Sequence, residues 1–405
     1  MREMKDSGVA WIGEIPSNWR IRTIGSLFQC RNEKVNDTDY PPLSISKGGV
    51  VPQMENVAKS DANDNRKQVL KNDFVINSRS DRKQSCGVSN LDGSVSLINT
   101  VLFEKEECTI VPSYNNYLLK NYGFAEEFYR WGHGIVADLW TTRWQEMKNI
   151  DLPIPSYQEQ ETILKDIEAK SKKVDKLIAN QEQQIEKLKA YKQSLITEVV
   201  TKGLNPDAPM KDSGVEWIGD IPESWDIIQF KYLHNGLNTG EGLDKEFWSN
   251  DDKDIVFYTA GLEPIRTTYQ GFPDWKYTEF NDLLLSRNGT PYVFLPMAGA
   301  CYTDHVIRAK LKNGINRKFV QYCLQQSILT VVVDSVSLAT WSASLWNKQI
   351  ITWPSPTEQS QIADYLDEKC EAIDRLIEIK QQKIEKLNEY KKSLIYEYVT
   401  GKKEV

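Results

Sequence analysis

The chain has 405 residues, of which 40% are apolar and 26% charged, with a formal net charge of −7. That length accommodates two ordinary domains with connecting elements, and the acidic balance excludes a globally basic nucleic-acid binder, so any phosphate contact has to come from local clusters. No apolar run reaches the roughly 18 to 20 residues of a membrane span, and the opening MREMKDSGVAW lacks the apolar stretch of a signal peptide, so a cytoplasmic protein with no membrane partner is expected. Cys30, Cys86, Cys108, Cys301, Cys323 and Cys370 form no CxxC pair, and only His133, His234 and His305 accompany them. Neither a metal site, a disulfide framework nor a cofactor is expected from that set.

In chain order the first distinctive block is MKDSGVAWIGEIPSNW from Met4, which returns as MKDSGVEWIGDIPESW from Met210, displaced by 206 positions. Trp11 and Trp19 recur as Trp217 and Trp225, which assigns them to packing or partner docking rather than to base recognition, since base recognition should differ between copies. After each opener comes a block with mixed strand and loop texture. Asn72-Asp73-Phe74-Val75-Ile76-Asn77-Ser78-Arg79 echoes Asn281-Asp282-Leu283-Leu284-Leu285-Ser286-Arg287, an apolar strand delivering a Ser-Arg pair to the following loop. Helix-like stretches follow around Tyr117–Arg130 and Arg317–Ser327.

A second repeat, displaced by about 199 positions, begins with PSYQEQ at Pro155 against PSPTEQ at Pro354 and continues as IEKLKAYKQSLITEVVT from Ile185 against IEKLNEYKKSLIYEYVT from Ile384. No Gly or Pro interrupts either run before Gly203 and Gly401, so both read as long helices. A heptad seam is legible: Leu164, Ile178, Ile185 and Val199 alternate with Ile167, Val174, Leu188 and Leu195, and Ala363, Cys370, Ile377, Ile384 and Tyr398 with Leu366, Ile373, Leu387 and Leu394. Gln181 with Lys380, and Lys192 with Lys391, interrupt the seams at equivalent points and favour one register. The expected organisation is an α+β fold with an internal pseudo-two-fold repeat: a domain over 1–155, a long helix over 156–202, a linker over 203–209, a second domain over 210–354 and a second long helix over 355–400, the helices pairing as an antiparallel coiled coil.

With the doubled opener, the PSPTEQ entry to a long helix at Pro354–Gln359 and the doubled order of domain then helix, the sequence resembles the specificity subunits of type I restriction-modification systems over essentially its whole length. The first copy departs slightly, with PSYQEQ in place of PSPTEQ. The resemblance implies that each variable block is a target recognition domain, and that two methyltransferase (modification) subunits bind alongside, with or without restriction subunits that cleave and translocate. It also implies double-stranded DNA as ligand, in the form of a bipartite target. A helix from Gln158 to Thr201 would span roughly 65 Å, which suits a spacer of fixed length between half-sites.

Base reading calls for forked or amide side chains at groove edges, with Lys, Ser and Thr on phosphates. From Lys59 to Lys83 there are seven basic residues against four acids. From this patch Arg66, Lys67, Arg79, Ser80, Arg82 and Lys83 are the first-block candidates, alongside the ordinary reading of a solvated loop. In the second block Arg287, Asn288 and Thr290 occupy the corresponding loop, with Arg266 as a further candidate. No catalytic residues are expected. The glycine turn and Pro-Pro-aromatic motif of an adenine methyltransferase are missing, Asp39-Tyr40-Pro41-Pro42 having the letters in the wrong order, and so is the phosphate-cradling GxxxxGK[ST] of a nucleotide motor. The competing class is a coiled-coil adaptor whose variable blocks bind protein.

Overall fold

A computed structural model describes residues 2–53, 64–79, 83–105, 110–134, 140–288, 291–330 and 340–405. The chain forms two compact units, Met1–Glu182 with Gln381–Val405, and Gln183–Lys380. Each unit therefore holds one α+β domain closed by part of both long helices, Tyr157–Lys202 and Pro356–Val399.

In the first unit the opener makes a small hairpin, Met4–Asp6 against Glu14–Pro16. The central antiparallel sheet runs in the order Cys86–Val88, Phe74–Asn77, Asn99–Glu104, Phe28–Cys30, and a three-stranded sheet of Gly93–Val95, Arg66–Val69 and Lys34–Val35 accompanies it. Phe74, Ile76 and Leu102 pack with Tyr114, Phe124, Ile163, Ile167, Leu394 and Tyr398 in one core, so the domain is completed by residues of both helices. The stretch expected as one helix around Tyr117–Arg130 is two, Pro112–Leu118 and Tyr122–Arg130. Asn121 breaks it: its amide donates to Leu118 O at 2.6 Å and its Oδ1 caps Phe124 N at 3.0 Å, which favours a new start over continuation.

The second unit repeats the plan. Its opener pairs Met210–Asp212 with Asp220–Pro222, and the central sheet runs Val293–Phe294, Asp282–Ser286, Val306–Leu311, His234–Thr239, the same order as in the first. A further sheet of Trp248–Ser249, Ile265–Thr267, Ile255–Tyr258 and Cys301–Tyr302 sits beside it. Leu283, Leu285 and Ile307 share a core with Ile196, Val199, Val200, Ile362, Leu366 and Cys370 from the two helices.

The long helices run antiparallel, and matched contacts fix their register within each unit. In the second, Lys192 reaches Asp374 at 2.7 Å, and in the first, Lys391 reaches Asp175 at 2.6 Å. Both members of one pair lie 199 positions from their counterparts in the other, so the two ion pairs are images of each other under the repeat. Lys380 bonds Gln184 across the same seam, and Gln181 is buried within it. A polar residue at a seam position favours the alignment that gives it a partner, and a slip by a heptad would set Lys380 against Leu177 or Tyr191 in place of Gln184.

The helix ends are tied to the openers in the same doubled way. Trp19 Nε1 donates to Glu159 at 3.0 Å, and Trp225 Nε1 to Glu358 at 3.2 Å. Beyond the other ends, Gly401 (φ +73°) lies against Pro16 and Trp19, and Gly203 (φ +76°) against Trp225. A left-handed residue ends each helix, where the Pro16 ring at Gly401 and the Trp225 indole at Gly203 leave no room for a Cβ.

His234 sits at a bulge in its strand, where its Nδ1 accepts from Gly236 N–H at 3.0 Å, so the ring proton resides on Nε2, which donates to Asn347 Oδ1 at 2.8 Å. Burial holds the imidazole below its ordinary 6.5. The neutral ring is favoured in the folded state, so its contribution to stability is complete above that value and declines as pH falls below it. Hydrogen exchange of the Gly236 amide is expected to accelerate on acidification through this range, after correction for intrinsic rates. Equal protection on both sides would refute it.

Candidate nucleic-acid interface

The sequence candidates separate by what the fold does with them. Arg66 lies in a strand between two neighbours, and its guanidinium turns inward, donating to Ser94 Oγ at 2.8 Å and to Ser94 O at 3.2 Å. It is only 6% exposed, and burial pulls its pKa down. Lys67, on the other face of the strand, spends one donor on Asn99 O at 2.7 Å and is likewise lowered by burial. Lys83 is paired with Glu126 at 3.0 Å and lies over the Tyr129 ring at 4.2 Å. Arg79 is exposed just past the central strand, in a backbone bridge with Thr141. Ser80, Arg82 and Thr290 lie outside the described residues.

Lys67 and Arg79 come together with a residue the sequence reading missed. They line an open cleft of about 510 Å³ with Cys30, Asn32, Ser78, Leu97, Ile98, Thr100, Thr141, Arg143, Trp144 and Gln145. None of these lining residues is an acid. The cleft thus offers three cations, amides and an indole in one concavity, the mixture suited to phosphate and base edges. Arg143 and Gln145 stand in Thr141-Thr142-Arg143-Trp144-Gln145, which shares only its first threonine with Thr340-Trp341-Ser342-Ala343-Ser344 at the helix-repeat displacement, and that divergence is the signal that could have found them.

In the second unit Arg287 is exposed and reaches Asp304 O at 3.4 Å, while Asn288 meets His305 Nδ1 at 2.6 Å and bridges Thr340. Arg266 lies away from this group on the second sheet, bonded to Asp254 O at 3.2 Å and 3.9 Å from Asp252. His305 is the group that sequence reading passed over here.

The strand echo aligns differently in space. Asn77 pairs with Asn99 as Ser286 pairs with Val306, so Ser286 answers to Asn77, Arg287 to Ser78 and Asn288 to Arg79. The arginines of the two echoes are therefore one position out of step. In an extended segment one residue reverses the side-chain direction, and Ser78 is accordingly buried where Arg79 is exposed.

The scaffold tryptophans Trp19 and Trp225 are each 1% exposed. Among the described residues no cluster of His, Cys, Asp and Glu is arranged to hold a metal ion, and no helix is long and apolar enough to cross a membrane.

A family model described as the type I restriction modification DNA specificity domain matches residues 222–389. A putative type I restriction enzyme MjaX specificity subunit of Methanocaldococcus jannaschii is 23% identical over 427 residues, covering 96% of this chain and 95% of that protein. The MjaVIII specificity subunit of the same organism is 24% identical over 273 residues, covering 63% of this chain and 62% of that protein. Among solved structures, a chain from work on complex assembly and conformational transition of the type I R-M system aligns with TM-score 0.71 at 14% identity, covering 95% of this chain and 98% of that one. The HsdS subunit from Thermoanaerobacter tengcongensis aligns with TM-score 0.51 at 16% identity, covering 96% and 98%. At such identities the structures speak for the fold.

Arg66→Ala is expected to lower the stability of the first unit by about 1 to 3 kcal/mol, because it leaves buried polar partners unsatisfied, while Arg79→Ala leaves thermal denaturation unchanged. Matching losses in the two variants would contradict the separation.

Proposed function

We propose that this chain, as a specificity (S) subunit of a type I restriction-modification system and a non-catalytic component that gives such a complex its DNA specificity, reads one half of a bipartite duplex target with each of its α+β domains. The observation that carries this reading is the contrast between recurrence and divergence. Contacts that build the scaffold occur twice, as in Trp19–Glu159 with Trp225–Glu358 and Lys391–Asp175 with Lys192–Asp374. The side chains at the exposed end of the central sheet do not recur: one unit presents Lys67, Arg79, Arg143 and Gln145, the other Arg287, Asn288 and His305. One framework carrying two different polar surfaces suits a target with two different halves, and uninterrupted helices held in one register suit a spacer of fixed length.

Two methyltransferase subunits acting on adenine N6 are the proposed partners, with or without two restriction subunits. Support comes from apolar residues left exposed twice. Leu177 (49% exposed) recurs as Leu376 (47%), and Tyr191 (58%) as Tyr390 (51%). Each directly precedes a residue at the first seam position, and on antiparallel helices such positions flank the seam on the same side, so Leu177 with Tyr390, and Leu376 with Tyr191, make one patch per unit. A patch repeated by the internal symmetry fits two copies of one partner.

Three outcomes are expected. The chain alone neither methylates nor cleaves DNA, and turnover by the pure chain would refute the reading. With its modification partner it enriches two separated half-sites from a randomised duplex library, whereas no enrichment would leave the adaptor reading. Leu177→Asp combined with Tyr390→Asp reduces the bound modification subunits from two to one by native mass spectrometry, and retention of both would move the docking site elsewhere.

A further inference from the structure

We propose that Arg79 and Asn288 are the same base-reading position in the two domains, so that the half-site read by the first carries a guanine where the half-site read by the second carries an adenine. This rests on the two-half-site reading above and adds the chemistry of one position to it.

The equivalence comes from backbone pairing. Past the central strand of the first unit, Ser78 N donates to Ile98 O at 3.4 Å and Ser78 O accepts from Thr142 N at 3.0 Å. In the second unit Arg287 N donates to His305 O at 2.8 Å and Arg287 O accepts from Trp341 N at 2.6 Å. The next residue in each case, Arg79 or Asn288, forms an antiparallel bridge to a threonine, Thr141 or Thr340. Strand register, the flanking hydrogen bonds and the terminal bridge all select the same pair. The backbone is thus held alike in both domains while the side chain it presents differs, which is the pattern expected of a reading position on a fixed support.

The side chains supply complementary codes. Arginine offers a fork of N–H donors that matches O6 and N7 of guanine, and asparagine offers one acceptor and one donor that match N6 and N7 of adenine. The surroundings agree with each. Arg79 opens on the cleft where, among the described residues, the other cations are Lys67 and Arg143 and no acid lines the wall. Asn288 is held by His305, its Nδ2 lying 2.6 Å from His305 Nδ1. With one amide hydrogen given to that ring nitrogen, the second amide hydrogen and Oδ1 remain as the donor and acceptor edge an adenine requires. His305 acts as a positioning residue that fixes which way the amide faces.

The test uses the complex of the full chain with its modification partner and a randomised duplex library, selected in parallel for the wild type and for Arg79→Asn, Asn288→Arg, Arg79→Ala, Asn288→Ala and His305→Ala. Arg79→Asn is expected to change one position of one half-site from G to A, and Asn288→Arg one position of the other from A to G, with every other position unchanged. Each alanine variant at these two residues is expected to lose preference at that position by about ten- to a hundredfold, and His305→Ala to weaken the preference at the Asn288 position alone. Melting of each variant at the wild-type temperature excludes misfolding as the cause. If the wild type enriches two half-sites but the substitutions change neither position, or depress all sequences equally, the assignment is overturned while the two-half-site reading stands. If the wild type enriches no sequence, both fall.

Discussion

A helix of 46 residues with an apolar side chain at every third or fourth position has to cover that stripe along its whole length, and no compact α+β domain is long enough to do so. Here each long helix covers the other. The buried positions follow the seam, including Ile167, Val174, Gln181 and Ile185 on one helix and Leu366, Cys370, Ile373 and Ile384 on the other. Apolar burial alone would tolerate several alignments, since a heptad slip replaces one aliphatic contact by another. What favours one is the contact of Lys380 with Gln184, while the ion pairs of Lys192 with Asp374 and Lys391 with Asp175 mark the alignment adopted. On a slip of one heptad Lys380 would face Leu177 or Tyr191, and a partly buried ammonium without an acceptor is costly, whereas in one direction Lys192 and Lys391 would still meet Asp367 and Glu168.

The domains depend on this pairing because neither completes its core without it. Leu394, Tyr398 and Val399 from the second helix pack with Ile12, Ile15 and Trp19 of the first opener, and Ile196, Val199 and Val200 from the first helix pack with Ile218, Ile221 and Trp225 of the second. At these ends the buried stripe widens beyond the two seam positions, as Ile163 and Ile196 show, because the helix meets a domain core as well as its partner. The openers are therefore the joints of the molecule, and their near identity follows from having the same joint to make twice. Freed from that demand, the outer ends of the central sheets can differ without disturbing the fold.

Much of this was legible because repetition and periodicity are properties of sequence. The doubled opener, the helix runs bounded by proline and glycine, and the seam with its interruptions need no coordinates. Side-chain direction was not legible. Arg66 and Arg79 look alike in a basic stretch, yet one lies within a strand whose pleat sends it to Ser94, and the other beyond a strand end where it meets solvent. The Ser-Arg echo invited an alignment one residue away from the one that the strand pairings enforce. The cleft draws on Asn32, Lys67, Arg79 and Arg143, distant in sequence and brought together by sheet order, which local patterning does not encode. His305 stayed hidden because it gains significance only from Asn288 across a loop.

The central claim is the single antiparallel register, and one substitution tests it. Cys370 occupies a first-position seam site on the second helix, and the register places Leu195 of the first helix opposite it, both belonging to the same core cluster. Leu195→Cys, oxidised under mild conditions and analysed by mass spectrometry of the linked peptides, is expected to form a 195–370 disulfide, while Leu188→Cys, one heptad away, is expected not to link to Cys370. A link from position 188 to Cys370, or none from position 195, would contradict the register and with it the account of how the two domains are closed.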